Sequence, residues 1–282
     1  MRTFSVTPAR LVWHALSLAL LAAAAAFVLV PLVLALLNSL KTDGEILNDI
    51  LALPVDPRFD NYATAFRKTE FPRSLWNTIV VAAIGVGGIV VCASLAGYKL
   101  SRTPGMLSRV LFGLFVFSML VPFHSIMIPL TRIAKELEIQ GGTVGLGVIY
   151  IGIGVPMAVF LYHGFVKSVP REVEESAIID GCGELALFAR VVFPLLAPIT
   201  ATVAILNLLW IWNDFLLPLL MLTNSKAYTL LLSTNMLFGE YGNHDWASIL
   251  AALIMTMAPA IVFYLLLQRH IMRGIAEGAV KG

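Results

Sequence analysis

Residues Pro170–Pro198 read PREVEESAIIDGCGELALFARVVFPLLAP, and this polar stretch between two long apolar runs decides how the chain is interpreted. Proline followed closely by three glutamates is typical of a helix start, because proline lacks the N–H that a first turn leaves unpaired and acids are stabilised there. Gly181 is typical of a helix C-terminus. The stretch therefore predicts a short acidic helix, a glycine break and a second short helix.

One face of the predicted acidic helix consists of short side chains and is suited to enter a groove on another protein. The residues at helical spacing on that face are Val173, Ser176, Ala177 and Asp180. The second predicted helix covers 185–192, and Pro194 and Pro198 set the entry into the next apolar run. We therefore expect a push on the first helix to reach the fifth membrane span.

The composition points to a membrane protein. Hydrophobic residues make up 59% of the 282 residues and charged residues only 13%, whereas soluble domains carry about 25% charged residues. A net charge of +2 without a run of Lys and Arg argues against a nucleic-acid partner. Two separate cysteines, Cys92 and Cys182, predict neither a disulfide framework nor a metal site.

Apolar windows of about 20 residues predict six membrane-spanning helices in one all-α, polytopic domain over 1–282. The windows cover approximately 12–37, 75–98, 110–131, 144–166, 197–221 and 246–268. The first is longer than the core of a cleaved signal peptide, which runs about 7 to 15 residues. Lys and Arg are more frequent in the segments that lie inside if both termini are cytoplasmic, so the positive-inside rule predicts that orientation.

This orientation places 170–194 in the cytoplasm, together with a small, glycine-rich tail at 274–282 that is expected to lack fixed structure when alone. The largest outer loop, 41–74, has two interpretations. Tyr62, Phe66 and Phe71 are typical of an interfacial helix anchored by aromatic residues, or they belong to a docking surface for an external partner.

Prolines and glycines within the spans predict bends and close packing. Pro122 and Pro129 are expected to kink the third span, because proline frees backbone carbonyls and disrupts the helix. Gly152 and Gly154 in the fourth span are expected to let a neighbouring helix approach closely.

Asp214 is the only acid inside any predicted span, in the sequence LLWIWNDFLLPLL. A charge near the bilayer centre costs at least about 2.5 kcal/mol, so its carboxylate should face protein or water. With Asn213 it predicts either a polar clamp to another helix or subunit, or a polar lining of the solute path. Trp212 would stack on a sugar if it faced the pore, or would anchor the helix at the membrane interface.

No motif for covalent catalysis, for metal binding or for a phosphate-binding loop of the GxxxxGK[ST] type occurs in the sequence. We therefore assign no catalytic residue, no metal and no cofactor to this chain. One intramembrane carboxylate is also a poor basis for ion coupling. Energy for uphill transport would have to come from a partner.

The stretch EESAIIDGCGELALFARVVFPLLAPI resembles the cytoplasmic EAA loop of permease subunits in ATP-binding-cassette (ABC) importers. That loop runs Glu-Ala-Ala, three residues, Gly, then about nine residues to Ile-x-Leu-Pro. The matching positions are Glu175, Ser176, Ala177, Gly181, Val191, Phe193 and Pro194. Ser176, Val191 and Phe193 depart mildly from the pattern and affect only the fit to the partner groove.

Other segments are similar to the carbohydrate group of these permeases, and in particular to the shorter permease of maltose-type pairs. They are the ending QRHIMRGIAEGAVKG and the triplets at Phe59–Asn61–Tyr62, Trp76–Asn77–Thr78 and Trp212–Asn213–Asp214. The resemblance implies a type I importer fold and a pore, made with a second permease, for a mono- or oligosaccharide. The same subfamily includes importers of glycerol 3-phosphate or a phosphodiester, which is the alternative substrate class.

The resemblance also implies partners and site residues. An extracytoplasmic binding protein would deliver the solute, and two copies of an ATPase subunit would bind ATP and Mg at the plasma membrane of a bacterium or archaeon. The residues implied in ATPase coupling are Glu174, Glu175, Ser176, Ala177, Asp180, Gly181 and Pro194, with Ala279, Val280 and Lys281 in a tail contact. A scaffold or channel that needs no ATPase is the alternative of a different class.

Overall fold

The computed structural model describes residues 8–238 and 245–279, with side chains described over 13–238 and 245–263 and at residue 265. Every regular element in those ranges is a helix. The sequence predicts one domain, whereas backbone contacts group the residues into two compact units. One unit comprises Met1–Lys68 and Leu237–Met255, and the other comprises Thr69–Met236 and Thr256–Gly282.

The α-helices range from single turns to more than thirty residues. In chain order they are α1 (Pro8–Asn38), α2 (Asp43–Asn48), α3 (Asp60–Lys68), α4 (Phe71–Arg102), α5 (Met106–Ser118), α6 (Phe123–Glu136), α7 (Thr143–Val166), α8 (Arg171–Ile179), α9 (Glu184–Leu187), α10 (Phe193–Leu195), α11 (Ala197–Asn213), α12 (Leu216–Met221), α13 (Leu230–Asn235) and α14 (Trp246–Ala279). A π-turn at Phe188–Val192 and two 3₁₀ turns at Ser225–Ala227 and Met236–Phe238 complete the described elements.

Four of these helices, α1, α4, α7 and α14, are long and apolar enough to cross a membrane. The count rises to six if two bent helix pairs each form one span. The all-α, polytopic prediction is confirmed, and the second and fourth predicted spans lie wholly within α4 and α7. The third and fifth predicted spans differ from the structure.

The third predicted span, 110–131, is not one continuous helix. Helix α5 ends at Ser118 and α6 begins at Phe123, and their axes meet at 102°. Pro122 precedes the first residue of α6 in an extended conformation. Its ring excludes the residue before it from the helical region and removes a hydrogen-bond donor, which explains why the break falls here. Pro129 lies inside α6 without ending it.

The fifth predicted span, 197–221, is interrupted at Asp214. This residue has ψ of 130°, so helix α11 ends at Asn213 and the separate helix α12 begins at Leu216. The Asp214 Oδ1 atom accepts a hydrogen bond of 3.0 Å from the Leu216 backbone N–H. Aspartate favours such a local bond to the backbone two residues on over continued helix, and the apolar window around it conceals that preference.

Helix α14 extends further than the predicted sixth span, 246–268, because its backbone remains helical to Ala279. Residues 274–279 of the predicted tail are thus the continuation of this helix. Val280 and Lys281 lie outside the described residues.

In the first unit, the buried Lys41 organises the segment that follows α1. Its ammonium donates a 3.0 Å hydrogen bond to the Asp49 carbonyl. The Asn61 amide donates to the carbonyls of Ser39 and Lys41 at 2.8 and 2.9 Å. The hydroxyls of Ser39 and Tyr62 lie 2.7 Å apart. Tyr62 is therefore a partly buried side chain whose hydroxyl is hydrogen-bonded to the end of α1.

A second set of bonds in this unit holds the start of α14. The Lys68 ammonium lies 2.7 Å from Asp245 Oδ2, and the Ala247 N–H donates to Asp43 Oδ1 at 2.9 Å. Burial alone would raise the pKa of the Asp245 carboxyl, but hydrogen bonds from Lys68 and Ser248 outweigh it and lower that pKa.

In the second unit, α4 and α7 pack closely because glycines remove side-chain bulk between them. A Cβ atom on Gly97 would lie 2.6 Å from the Tyr162 Cβ, and one on Gly154 would lie 2.4 Å from the Ile89 Cδ1. Close packing is thus confirmed for Gly154, whereas a Cβ on Gly152 would meet nothing within 4 Å. The resulting helix pair forms a firm support for the segments bonded to its two ends.

Candidate functional site

The acidic stretch forms the predicted short helix, α8. Pro170 immediately precedes its first residue, and Gly181 adopts φ of +86° just after its end. The Gly181 and Cys182 N–H groups donate to the carbonyls of Ile178 and Ala177 at 2.9 and 3.0 Å. This is the Schellman pattern, which needs a left-handed residue where glycine stands. The predicted helix and glycine break are confirmed.

The inward side of α8 is held by a buried ion pair. Glu174 is 8% exposed, and its carboxylate accepts hydrogen bonds from Arg102 Nε at 2.8 Å and from the Tyr98 hydroxyl at 2.9 Å. A second guanidinium nitrogen of Arg102 lies 2.6 Å from the carboxylate and donates to the Val169 carbonyl at 2.7 Å. Because the guanidinium bonds both the carboxylate and the chain just before α8, it fixes the position of that helix against α4.

The outward side of α8 carries exposed polar and apolar groups. The exposed members of the predicted coupling set are Glu175, Ser176, Asp180, Gly181 and Pro194. One exposed apolar side chain, Ile179, lies on this side and is 85% exposed. Two others, Ile178 and Leu185 of α9, are 56% and 80% exposed and border a cavity beside Glu174. Sequence reasoning missed these three, although two adjacent isoleucines in a short polar helix were a visible signal. Clustered exposed apolar residues indicate a protein-binding surface.

The predicted face of short side chains includes Ala177. This residue is partly buried and packs with Cys182 against a core cluster that includes Val169 and Leu187. It lies three residues after Glu174, and residues at that spacing share one helix face. The inward face is therefore defined by Glu174 and Ala177, and the outward face by Glu175 and Ile179.

The second half of the stretch is a chain of short turns. Helix α9 leads into the π-turn Phe188–Val192, where the Phe193 N–H donates back to the Phe188 carbonyl. The next residue, Pro194, has no N–H to donate, and its ring would crowd a regular α-turn at this position. The axis then turns by 77° into α11. The single helix predicted over 185–192 is thus replaced by an α-turn followed by a π-turn.

The Asp214 carboxylate joins two elements of this subunit by hydrogen bonds, an arrangement that fits the clamp interpretation. The Tyr150 hydroxyl, on α7, donates to Asp214 Oδ2 at 2.8 Å, while Oδ1 accepts from the start of α12. Asn213 is exposed and its amide donates to the Leu209 carbonyl within its own helix. Trp212 is 5% exposed and packs against Phe263, with ring centroids 5.6 Å apart. Trp212 and Phe263 also line an apolar cavity of about 500 Å³, and the two interpretations of Trp212 stay predictions.

Of the predicted tail contact, Ala279 ends helix α14 and Val280 and Lys281 lie outside the described residues. Within the described part of the chain, no group of three His, Cys, Asp or Glu residues is placed to hold a metal ion.

A family model described as the binding-protein-dependent transport system inner membrane component matches residues 88–277. The chain belongs to this family. The matched range includes α8, its anchor Arg102 and the Asp214 clamp. This permease is therefore a membrane component of an ABC transport system, and its family is one of transport components.

Similar proteins extend the match over most of the permease. The probable starch degradation products transport system permease protein AmyC of Thermoanaerobacterium thermosulfurigenes is 35% identical, over 89% of this chain and 91% of AmyC. The melibiose/raffinose/stachyose import permease protein MelC of Bacillus subtilis is 35% identical, over 90% of this chain and 91% of MelC.

A solved structure has the same fold as this permease. A chain in the crystal structure of a bacterial ABC transporter involved in the import of the acidic polysaccharide alginate superimposes with a TM-score of 0.81. The two chains are 21% identical, and the match covers 95% of this permease and 99% of that chain. The predicted ABC importer permease fold is confirmed.

Proposed function

We propose that this permease forms, with a second permease, the pore of an ATP-driven importer for a mono- or oligosaccharide. An extracytoplasmic binding protein delivers the sugar, and two ATPase subunits bind ATP and Mg. The observation that carries the proposal is the two-sided helix α8. Its inward face is bonded to α4, while its outward face presents Glu175 and the exposed Ile179 to a partner.

The coupling role follows from the chemistry of that outward face. Burial of the exposed Ile179 side chain in a groove on another protein is favourable, because it removes apolar surface from water. The exposed carboxylate of Glu175 can pair with a basic residue at the rim of that groove, which fixes the orientation of docking. Ser176 beside it is small enough to allow close approach. The ATPase subunit is the partner that supplies the groove, and the tail residues Ala279, Val280 and Lys281 add a second contact with it.

The sugar substrate is supported by the names of similar proteins. AmyC and MelC are named for starch degradation products and for melibiose, raffinose and stachyose. A third relative, MsmG of Streptococcus mutans, is 33% identical and is named as a multiple sugar-binding transport system permease protein. These names favour an oligosaccharide over glycerol 3-phosphate or a phosphodiester.

We also propose that both termini of the permease are cytoplasmic. If both termini are cytoplasmic, α8 and the end of α14 lie on the side where ATP is available, and the segment 41–68 lies on the side of the binding protein. Lys and Arg are more frequent in the segments that this orientation places inside, which supports it.

The decisive experiment is transport by the whole complex. The permease is copurified with its native partners in mild detergent, reconstituted in liposomes and supplied with its binding protein. We expect ATP-dependent accumulation of raffinose or a starch-derived oligosaccharide and none of glycerol 3-phosphate. Uptake of glycerol 3-phosphate alone would support the alternative substrate class. Uphill transport by the permease without an ATPase would reject the proposal.

A further inference from the structure

Helix α4 is hydrogen-bonded at both ends to segments outside the membrane core. At its inner end, Tyr98 and Arg102 hold Glu174 of the coupling helix α8 at 2.9 and 2.8 Å. Arg102 also holds the Val169 carbonyl at 2.7 Å. The guanidinium therefore contacts the last residues before α8 as well as α8 itself.

The opposite end of α4 holds the segment Lys226–Ser233. The Asn77 amide donates to the carbonyls of Lys226 and Tyr228 at 2.9 and 3.0 Å. Two further bonds join α4 to this segment. They are the Leu230 N–H to Thr78 Oγ1 bond at 2.8 Å and the contact between the Ser74 and Ser233 hydroxyls at 2.8 Å.

Between these two attachments α4 is a rigid connector. It has 32 residues, which corresponds to a length of about 48 Å, and its one proline, Pro72, lies in its first turn. Glycines along its length bring it against the neighbouring helix of the same unit. A displacement imposed on the Arg102 end is therefore transmitted to the Asn77 end with little loss in bending.

The inner attachment depends on the buried ion pair more than on packing. A cavity of about 460 Å³ lies beside it, lined by residues that include Leu95, Ile178 and Leu185. Since this side of α8 faces a cavity, few apolar contacts there resist its movement away from α4. A second ion pair, Lys99–Glu184, bridges the same gap at 3.2 Å, but its side chains are 63% and 87% exposed. Exposed pairs contribute little to positioning, whereas the Arg102 and Glu174 side chains are only 14% and 10% exposed.

We propose that Arg102 and Tyr98 are positioning residues for coupling, and that α4 carries the motion of α8 to the outer segment Lys226–Ser233. This route is additional to the continuous chain from α8 through Pro194 into α11. The inference rests on the proposed function for the source of the motion, since the ATPase moves α8. It assigns to Glu174 an internal role distinct from that of the exposed Glu175.

The test measures how accessible the outer segment is to a thiol reagent while ATP acts on the ATPase at the inner side. Cys92 and Cys182 are replaced by serine, Lys226→Cys supplies an exposed thiol, and the complex is copurified with its native ATPase and binding protein. The rate of maleimide labelling at position 226 is then compared without nucleotide and with ATP and vanadate. We expect ATP to change this rate by at least about fivefold in the parent, and we expect Glu174→Gln to remove most of that change.

The matched control is Glu184→Gln, which makes the same chemical change in the exposed pair and should keep the full ATP response. Arg102→Lys keeps the charge but loses the forked guanidinium, and Tyr98→Phe keeps the ring but loses the hydroxyl; both should reduce the response partially. These milder variants decide the question if Glu174→Gln prevents assembly. A merely structural role would lower the yield of complex without changing the ratio of the two labelling rates.

The inference is overturned if assembled Glu174→Gln, or both milder variants, respond to ATP like the parent. It is also overturned if position 226 in the parent does not respond to ATP. Failure of the proposed function is a separate result, because it appears as a parent complex that labels normally but accumulates no sugar.

Discussion

At the scale of single residues, adjacent glutamates in α8 have different surroundings. Glu174 is buried against Arg102, while Glu175, the next residue, is exposed. We expect Glu175→Lys to abolish coupled transport and to leave membrane insertion intact, because it reverses a charge at the partner surface only. Sugar uptake and the amount of permease in isolated membranes measure the two effects. Normal uptake by this variant would contradict the docking role.

Truncation of the buried glutamate should instead destabilise the permease. Glu174→Ala leaves the Arg102 guanidinium buried without its counter-charge, a change that costs about 3 to 5 kcal/mol. We expect the thermal unfolding midpoint of the detergent-solubilised complex to fall clearly. Glu184→Ala, in the exposed pair with Lys99, should leave the midpoint nearly unchanged. Equal midpoints for the two variants would show that burial does not distinguish these ion pairs.

Asp214 supports a prediction that separates its two original interpretations. Asp214→Asn keeps an oxygen acceptor for Tyr150 or for the start of α12, so a clamp residue should tolerate it. We expect sugar uptake with a KM close to that of the parent, and a lower unfolding midpoint for Asp214→Ala. A large rise in KM for Asp214→Asn with normal stability would show instead that the carboxylate lines the solute path.

The pair between Lys68 and Asp245 gives a prediction for pH. Because the pKa of Asp245 is lowered in the folded protein, its stabilising contribution is present above the ordinary pKa of aspartate. That contribution is lost as the pH falls through the lowered value. We expect Asp245→Asn to remove part of the acid sensitivity of the protein, measured as unfolding midpoint against pH. An unchanged pH profile would contradict the assignment.

At the scale of helices, the glycines of α4 differ in what surrounds them. A Cβ on Gly97 would lie 2.6 Å from the Tyr162 Cβ and 3.0 Å from the His163 backbone nitrogen, whereas Gly87 has open space. Gly97→Ala should therefore cost about 1 to 3 kcal/mol through overpacking. Gly87→Ala should be neutral or slightly stabilising, because alanine favours helix. Unfolding midpoints of the two variants provide the measurement, and a neutral Gly97→Ala would show that α4 and α7 can separate.

The same scale shows which elements the sequence predicts and which it conceals. Helix α8 was predictable because its signals are local: Pro170 before it, acids in its first turn and Gly181 after it. The burial of Glu174 was not, because its partner Arg102 lies 72 residues earlier in the chain. The break at Asp214 was concealed by the apolar residues on both sides, which satisfy a hydropathy window whether or not the helix continues.

At the scale of the whole molecule, the orientation in the membrane can be tested with two exposed positions. Val55 is 89% exposed and Ile179 is 85% exposed, so cysteines at both should react readily with a maleimide that they can reach. In whole cells of a strain whose protein lacks native cysteines, we expect a membrane-impermeant maleimide to label Val55→Cys. Ile179→Cys should be labelled only after the membrane is opened. The reverse pattern would place the termini outside.

For the whole chain, the composition predicts the class of protein well, but hydropathy does not predict the geometry of the spans. A charged fraction of 13% was sufficient to predict the membrane. The geometry of the spans needed the structure, because the third window contains a bend of 102° and the fifth is interrupted at Asp214. Hydropathy averages over such bends, since the residues on both sides remain apolar.

The exposed apolar side chains of α8 and α9 also matter before the transporter is complete. Ile178, Ile179 and Leu185 face solvent in the isolated chain, and exposed clusters of this kind are the features by which chaperones and proteases recognise unfinished proteins. If the proposed ATPase covers this surface, a permease made without it keeps these side chains exposed and is a target for degradation. On that proposal, synthesis of the two subunits in step prevents the loss of surplus permease.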